Sequence, residues 1–164
     1  MMIGRLQKTF EFREFTNLSP DLHQLILKWR NHPAISRWMY HDRVTSREHR
    51  QFVKKLPTDT TKKYWLVFLD QEPMGVFDLT NVTNDSAKIG LYLSPDKIGQ
   101  GLGAMFLRAA LNFVKKKFRF KKLLLEVFKK NPAAINLYQQ LGFQLTGTQS
   151  HAKGELIQME LSLK

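Results

Sequence analysis

The 164-residue chain contains no cysteine, and this absence limits both its structure and its chemistry. Disulfide bonds, thiolate metal sites and a cysteine nucleophile are all excluded. Because a chain without disulfides suits a reducing compartment, we expect a cytoplasmic protein.

Long apolar runs are also missing. No stretch approaches the roughly 18 apolar residues that span a membrane, and the N-terminal sequence MMIGRLQKTF lacks the apolar segment of a signal peptide. We therefore expect no association with a membrane. The length of the chain and its hydrophobic fraction of 43% predict one soluble domain over residues 1–164, large enough for a substantial core.

Acidic residues are scarce: 14 Asp and Glu stand against 26 Lys and Arg, which gives a net charge of +12. Such an excess is typical of proteins that bind nucleic acid, membrane surfaces or acidic ligands. The densest basic run, at 115–122, lies at a predicted helix C-terminus, where cations complement the helix dipole. We favour a solvated surface and expect no nucleic-acid partner, although a basic nucleic-acid-binding module stays open as an alternative.

Capping signals place two helices in the N-terminal half. The sequence Ser-Pro-Asp at 19–21 supplies an N-cap and a proline at the first helical position, and the helix ends near His32-Pro33. The capping box at 45–48 starts the next helix, which ends at Pro57. The segment 34–44 between the two helices is predicted to be irregular.

Alternating and continuous apolar runs predict the strands of an α/β domain. Two more helices are expected, one after the glycine-rich turn at 98–103 and one between Asn131 and Gly142. The predicted strands are 8–15, 63–69, 74–81, 87–93, 123–128, 143–147 and 156–163.

The turn at 98–103 has the sequence Ile-Gly-Gln-Gly-Leu-Gly and directly precedes a predicted helix. Unpaired backbone N–H groups at a helix N-terminus, together with the helix dipole, favour a bound phosphate. The turn alone is also consistent with an ordinary tight loop.

With the residues that follow it, this turn resembles the acetyl-CoA-binding half of GNAT-type N-acetyltransferases. The shared pattern is a glycine turn opening a helix, a Leu-Glu-Val strand, and the motif N-x-x-A-x-x-L-Y-x-x-x-G-F. It is carried by Gly99, Gly101, Gly103, Leu125, Glu126, Val127, Asn131, Ala134, Leu137, Tyr138, Gly142 and Phe143.

The resemblance implies a GNAT fold, in which about four helices flank a central mixed, mostly antiparallel, splayed sheet of six to seven strands. It also implies acetyl-CoA as co-substrate, without a metal. The family's phosphate signature begins with Arg or Gln where this chain has Ile98, so the cradle must depend on backbone amides and the helix dipole. The residues expected to bind acetyl-CoA, the first three through the backbone of a splayed strand, are Leu91, Tyr92, Leu93, Ile98, Gly99, Gln100, Gly101, Leu102, Gly103 and Asn131.

For the departing thiolate, the resemblance implies that Tyr138 is the general acid. It follows Asn131 by seven residues on the same helix, so one side presents an amide and a phenol. Without the resemblance, an amphipathic tyrosine on a buried helix would be the preferred interpretation. Because no cysteine can carry the acetyl group, direct attack of an amine on bound acetyl-CoA is the simpler mechanism.

Two carboxylates are candidates for the base that prepares the amine. Glu126 is the first, because a carboxylate within an apolar strand requires a partner; it could instead orient a water or a substrate hydroxyl, or pair with an arginine. Asp78 is the second. If Phe77 and Leu79 face the core, Asp78 points to the opposite face, where it borders a substrate groove or is simply solvated.

The acceptor side resembles a narrower family, the N-acetyltransferases of the pseudaminic-acid pathway, through the segments 15–18, 29–33 and 38–40 and the pair His49 and Phe52. That resemblance implies acetylation of the 4-amino group of a UDP-linked 4-amino-4,6-dideoxy-N-acetyl-altrosamine, a small-molecule nucleotide-sugar. Arginine forks suit phosphate or uracil, and aromatic faces suit a base. The residues expected to bind the acceptor are Arg30, Met39, Tyr40, His49, Phe52, Thr80 and Asn81.

Another enzyme class has a similar pattern. A ribosomal-type N-terminal protein acetyltransferase also carries the Leu-Glu-Val and N-x-x-A-x-x-L-Y sequences, and a basic surface would suit work near ribosomes. A peptide site requires a groove for an extended backbone, whereas a nucleotide-sugar site requires an aromatic pocket beside a cation. Either a monomer or a homodimer is consistent with the sequence.

Overall fold

Seven strands form one sheet within residues 8–163, the part of the chain that the computed structural model describes. The order is β1-β2-β3-β4-β5-β7-β6; β4 and β5 are parallel, and the other neighbours are antiparallel. This is the mixed, mostly antiparallel sheet that the resemblance implies. The strands are β1 (Phe10–Glu14), β2 (Lys63–Leu69), β3 (Glu72–Thr80), β4 (Ser86–Leu93), β5 (Lys122–Phe128), β6 (Gln144–His151) and β7 (Gly154–Ser162).

The ends of the sheet differ from the predicted bounds. The strand predicted at 8–15 begins only at Phe10, and Phe15–Asn17 form a 3-10 turn. The last two strands are longer than predicted because they pair as a hairpin. Most side chains of β6 are exposed, so apolar alternation gives no signal there. Residues 1–7, on which the absence of a signal peptide rests, lie outside the described residues.

Five α-helices occur within residues 8–163, and three of them have the caps that the sequence predicts. The Ser19 side chain accepts a hydrogen bond from the Leu22 amide, and Thr45 and Glu48 form the capping box. The helices are α1 (Pro20–Asn31), α2 (Pro33–Ser36), α3 (Ser46–Lys55), α4 (Gly103–Lys117) and α5 (Pro132–Gln140).

The prediction of an irregular segment at 34–44 is wrong at its start, where α2 forms one helical turn. Proline at the first helical position sets the backbone for a helix, and the side chain of His32 caps it by accepting a hydrogen bond from the Ala34 amide at 3.1 Å. The remainder of that segment contains no regular element.

The central strands are buried on both faces, and each face has its own core. The first core cluster packs α4 and α5 against Trp65, Phe77 and Leu79. The second core cluster packs α1 and α3 against Leu66 and Val76. Because side chains alternate along a strand, Asp78 lies on the face of the second core cluster, as the sequence predicts. No helix within residues 8–163 is both long and apolar enough to cross a bilayer.

The sheet opens between its two parallel strands. β4 pairs with β5 at Ser86–Lys122, Ala87–Leu123 and Lys88–Leu124. Beyond these pairs β4 continues to Leu93 and β5 to Phe128. The edge of β4 at 89–93 therefore faces an opening instead of a neighbouring strand, and this is the splay that the GNAT resemblance implies.

Candidate active site

The glycine loop owes its shape to backbone conformations that favour glycine. Gly99 and Gly101 have φ angles of +79° and +74°, which are strained for residues with a Cβ atom. The side chain of Gln100 donates a hydrogen bond to the Asp96 carbonyl at 2.7 Å and fixes the loop. Gly103 has a different role, since a Cβ atom there would lie 3.2 Å from Leu137 on α5.

The N-terminus of α4 has no side-chain cap. Its N-cap is Leu102, whose side chain caps no amide. The N–H groups of the first helical turn have no intrahelical acceptors, and the helix dipole makes this end positive. Ile98 is 44% exposed at the start of the loop, so its side chain adds no charge or hydrogen-bond donor to the cradle.

At the opening of the sheet, residues 91–93 present their backbone along the free edge of β4. Leu91 and Leu93 pack against the first core cluster and Tyr92 against the second. Gly75 allows β3 to approach this strand closely, because a Cβ atom there would lie 2.3 Å from the Tyr92 carbonyl oxygen.

Asp78 lies partly buried on β3, paired in register with Tyr64 on one side and Gly90 on the other. A Cβ atom on Gly90 would lie 2.6 Å from Asp78 Oδ2, so the carboxylate occupies space that only glycine leaves free. Desolvation raises the pKa of Asp78 to about 7, although the charge of Lys88 opposes this. At neutral pH this group can therefore accept or donate a proton.

The four tyrosines of the chain all lie within the electrostatic reach of Asp78. Burial is the largest cause of a raised pKa in each phenol, and the negative charge of Asp78 adds to it. We call the region around Asp78, within reach of these four phenols, the cleft. The phenols are those of Tyr40, Tyr64, Tyr92 and Tyr138.

Tyr138 lies on α5 and packs against the first core cluster, and after burial the charge of Asp78 contributes to its raised pKa. Its ring meets the edge of Phe143 at 5.7 Å between centroids. Its pKa is raised to about 12, so the phenol stays protonated at neutral pH. Asn131 caps the same helix by accepting a hydrogen bond from the Ala134 amide at 3.3 Å, which gives this predicted acetyl-CoA residue a structural role of its own.

Glu126 is engaged by two partners. The Tyr40 hydroxyl donates to its carboxylate at 2.5 Å, and Lys88 forms an ion pair with it at 3.1 Å. Burial alone would raise the pKa of Glu126, but the hydrogen bonds from Tyr40 and Lys88 outweigh burial and hold it below its usual value. A carboxylate held ionised in this way is a weaker base than Asp78.

Arg30 is the cation of the acceptor side. Its Nη2 donates to the His41 carbonyl at 2.7 Å, while Nη1 is buried without a hydrogen-bond partner among residues 8–163. Burial lowers the pKa of Arg30, and the charges of Tyr92 and Asp42 partly offset this. An unpaired, desolvated guanidinium nitrogen is a suitable donor for an anionic or carbonyl group of a ligand.

The other predicted acceptor residues lie at different distances from this centre. Phe52 meets the Tyr64 ring edge-on at 4.8 Å. Thr80 lies on the face of Asp78 and pairs in register with Lys88. Asn81 follows in an exposed turn with φ +48°, and Met39 precedes Tyr40 on the same loop.

His49 lies outside this group of contacts. It is buried between α1 and α3, with its Nε2 3.1 Å from His23 Nδ1 and its ring against Phe15. Burial, and then the charge of His23, lowers the pKa of His49 to about 4. The structure gives His49 a packing role, and a contact with substrate stays a prediction.

Sequence reasoning missed Tyr64 and Lys88, both of which face the cleft. Each is a polar residue on a strand that reads as apolar, and neither belongs to a motif. Pairing the strands in register would have found them, because Tyr64 lies opposite Asp78 and Lys88 opposite Thr80. Within residues 8–163, no group of three or more His, Asp or Glu side chains is placed to hold a metal ion.

The opening between β4 and β5 and the glycine loop at the start of α4 are features that the GNAT resemblance implies. The model of the acetyltransferase (GNAT) domain matches residues 10–144, and the chain belongs to this family. It is an acetyl-CoA-dependent N-acetyltransferase.

Two comparisons show that the chain is similar to a particular enzyme, the acetyltransferase PseH of Campylobacter jejuni. The protein of strain 81-176 is 37% identical over 135 residues, 82% of this chain and 85% of that protein. The crystal structure of C. jejuni PseH in complex with acetyl coenzyme A superposes with a TM-score of 0.78 at 30% identity, over 95% of this chain and 100% of that chain.

A third comparison concerns the fold alone. The structure of spermidine N-acetyltransferase from Vibrio cholerae in complex with CoA and spermine matches with a TM-score of 0.82 at 19% identity, over 95% of each chain.

Proposed function

We propose that this enzyme acetylates the 4-amino group of UDP-4-amino-4,6-dideoxy-N-acetyl-β-L-altrosamine in pseudaminic acid biosynthesis. The observation that carries the proposal is the similarity to PseH over most of both chains. It agrees with the resemblance of the acceptor segments to the N-acetyltransferases of the pseudaminic-acid pathway. The cleft supports the proposal in two ways. The Asp78 carboxylate can take a proton at neutral pH, and one nitrogen of the Arg30 guanidinium, Nη1, has no hydrogen-bond partner among residues 8–163.

Asp78 is the base of this mechanism. A sugar amine arrives largely as an ammonium ion, and it must lose a proton before it can attack. Asp78 has a pKa of about 7, close to the operating pH, where general base catalysis is most effective. Glu126, the first candidate from the sequence, is held ionised by Tyr40 and Lys88, so it suits orientation of the acceptor better.

The acetyl transfer needs no covalent intermediate on the enzyme. The neutral amine attacks the thioester carbonyl, a C–N bond forms, and backbone N–H groups of β4 at the opening stabilise the oxyanion. Collapse breaks the C–S bond, and Tyr138 donates its proton to the sulfur. The second proton of the amine then neutralises the Tyr138 phenolate, while the first leaves Asp78 for solvent.

The nucleotide part of the acceptor is held by the predicted residues of the N-terminal half. Arg30 offers Nη1 to a phosphate or a uracil carbonyl, and the rings of Phe52 and Tyr40 provide apolar faces for the base. Met39, His49, Thr80 and Asn81 complete the predicted set around the acceptor. On the donor side, the loop 98–103 holds the phosphates of acetyl-CoA, Asn131 and the backbone of 91–93 assist, and no metal takes part.

The proposal is tested by measuring acetyl-CoA consumption with a thiol reagent, because a chain without cysteine contributes no background thiol. The panel contains the UDP-4-amino-sugar, the same sugar without UDP, polyamines and peptides with ribosomal N-termini. Turnover with the UDP-sugar, and acetylation at the 4-amino nitrogen by NMR, are expected. Activity confined to peptides would support the N-terminal protein acetyltransferase instead, and activity confined to polyamines would also contradict the sugar assignment.

A further inference from the structure

The loop that carries Tyr40 is held in place by a side chain from the far end of the sheet. This loop, residues 37–45, joins α2 to α3 and is called the acceptor loop here. It contains no regular element, so its conformation must come from contacts outside it. Tyr40 is 40% exposed, yet its hydroxyl lies 2.5 Å from Glu126, which requires the backbone of the loop to be fixed.

Lys153, in the turn between β6 and β7, provides the densest set of these contacts. Its Nζ donates to the Met39 carbonyl at 2.7 Å, to the Ser36 carbonyl at 3.3 Å and to the carboxylate of Asp42. The Lys153 side chain is only 26% exposed, and its bonds to the carbonyls of Ser36 and Met39 are partly buried. Little water therefore competes for these two bonds. An ammonium has three protons, and all three have acceptors in the acceptor loop or at its junction with α2.

The β6–β7 turn is held in one conformation by a hydrogen bond of its own. The Lys153 amide donates to His151 Nδ1 at 3.1 Å, and Gly154 has a φ of +136°. The His151 ring lies against the Tyr40 ring at 5.1 Å between centroids. The turn therefore contacts the acceptor loop through both the ring of Tyr40 and the backbone of Met39, the residue immediately before it.

Two other tethers hold the acceptor loop from α1. Arg30 donates to His41 at 2.7 Å, and Asn31 exchanges two hydrogen bonds with Val44. The Arg30 tether holds His41, the residue after Tyr40, whereas Lys153 holds the backbone of Met39, the residue before it. Lys153 contacts Ser36, Met39 and Asp42, on both sides of Tyr40, and the tethers from α1 hold His41 and Val44.

We propose that Lys153 is a positioning residue for the acceptor: its three hydrogen bonds set the acceptor loop so that Tyr40 lies over Glu126 at the substrate cleft. This inference rests on the proposed role of the cleft in binding the acceptor. Lys153 itself touches neither the glycine loop nor Tyr138 among the contacts described, so its effect is confined to the acceptor side.

The test compares Lys153→Met, which keeps the length of the side chain, with Lys153→Arg and with Lys115→Met, an exposed lysine on α4. Lys153→Met is expected to raise the acceptor KM about tenfold, the loss that a charged hydrogen bond commonly represents, with kcat/KM for acetyl-CoA within about twofold of wild type. Lys153→Arg is expected to restore part of the loss, and Lys115→Met to behave as wild type.

A second measurement reports on the conformation of the acceptor loop and requires no turnover. Trp38 lies in the acceptor loop and is partly exposed, whereas Trp29 and Trp65 are buried. Acrylamide quenching of the intact protein therefore reports mainly on Trp38. Lys153→Met is expected to increase quenching of Trp38, while the melting temperature stays close to that of the wild type.

The outcomes separate this inference from the proposed function. If the wild type fails to acetylate the UDP-sugar, the proposed function fails, and the KM comparison is made with the amine that it does acetylate. Unchanged acceptor KM and unchanged quenching in Lys153→Met would overturn the positioning role. Equal loss for both substrates together with a lower melting temperature would also overturn it, because that pattern indicates a purely structural residue.

Discussion

At the residue scale, the chemistry of the cleft depends on the contrast between two carboxylates. Asp78 lies beside Gly90 in a desolvated position, and its pKa is raised to about 7. Glu126 is paired with Lys88 and Tyr40, and its pKa is lowered. Two acids whose environments move their pKa values apart commonly have different roles, and here one can move a proton while the other holds a charge.

For Asp78→Asn we expect kcat/KM for the acceptor to fall by roughly two orders of magnitude, as for the loss of a general base. In the wild type, kcat/KM should rise with pH through about 7 as the carboxylate ionises, and the variant should lose this dependence. The measurement is a pH–rate profile of both proteins.

Stability provides the control for that variant. Because folding raises the pKa of Asp78 above its ordinary value, the folded state binds the proton more tightly, and ionisation destabilises it as the pH rises through about 7. Asp78→Asn should therefore be at least as stable as the wild type at pH 8. A variant that loses activity only because it unfolds there would contradict the assignment.

For Tyr138→Phe we expect kcat to fall by about tenfold or more, since the departing thiolate loses its proton donor, while the Kd for acetyl-CoA barely changes. Steady-state kinetics and calorimetric titration measure the two quantities. Tyr64→Phe, which removes another buried phenol near Asp78, distinguishes the loss of a particular proton donor from the loss of any hydroxyl in the cleft. Unchanged turnover in Tyr138→Phe would remove the general acid from the mechanism.

At the element scale, the glycine loop shows how a backbone can replace a side chain. Its anion cradle is made by the N-terminus of α4 and by two glycines with positive φ. By the GNAT resemblance, Arg or Gln is expected where this chain has Ile98, whose side chain contributes neither charge nor a hydrogen-bond donor. This element therefore retains room for a stronger phosphate contact.

Ile98→Arg is accordingly expected to tighten acetyl-CoA binding, by about fivefold for an exposed ion pair worth roughly 1 kcal/mol. The gain should shrink at high salt, because exposed charges are screened. The matched control is Leu145→Arg, which adds the same charge at an exposed apolar residue on β6. An equal gain in both variants would show that net charge, and not the position, is responsible.

The pairing of α1 with α3 gives a second prediction at this scale. Because folding lowers the pKa of His49 from 6.5 to about 4, its neutral form stabilises the fold above pH 6.5, and this contribution is lost as the pH falls towards 4. Between pH 7 and pH 4.5 the free energy of unfolding should drop by roughly 2 kcal/mol more in the wild type than in His49→Gln. Urea denaturation at the two pH values measures the difference, and equal drops would contradict it.

At the scale of the whole molecule, the sheet separates the residues proposed for the donor from those proposed for the acceptor. Asp78 and Arg30 lie with α1 and α3, while the glycine loop and Tyr138 belong to α4 and α5, and the opening between β4 and β5 connects the two sides. Amine and thioester can thus be held together before any bond changes, and proximity supplies much of the rate.

This arrangement predicts sequential kinetics. Double-reciprocal plots at several fixed concentrations of the second substrate should intersect, because both substrates must be bound before acetyl is transferred and no cysteine can store it. Parallel lines, or an acetylated enzyme detected by mass spectrometry after incubation with acetyl-CoA alone, would contradict direct attack.

Much of the fold could be predicted from local signals. The capping box at 45–48, the proline of α1 and the apolar runs of β2 and β5 each depend on near neighbours in the chain, and all were predicted correctly. The failures occur where local preference is weak. The exposed strand β6 acquires its structure by pairing with β7, and α2 forms because a histidine caps it.

The residues of the candidate site were likewise predicted where they lie close together in the sequence, and their contacts were missed where they lie far apart. The glycine turn, the amide of Asn131 and Tyr138 lie close in sequence, so the sequence by itself determined the family, the acyl donor and the candidate acid. The contacts of Asp78 with Gly90, of Tyr40 with Glu126 and of Lys153 with the acceptor loop join residues far apart in the chain. Only the tertiary structure decided these, because pairing between distant segments depends on strand register and burial, and those set which carboxylate is desolvated and which is paired.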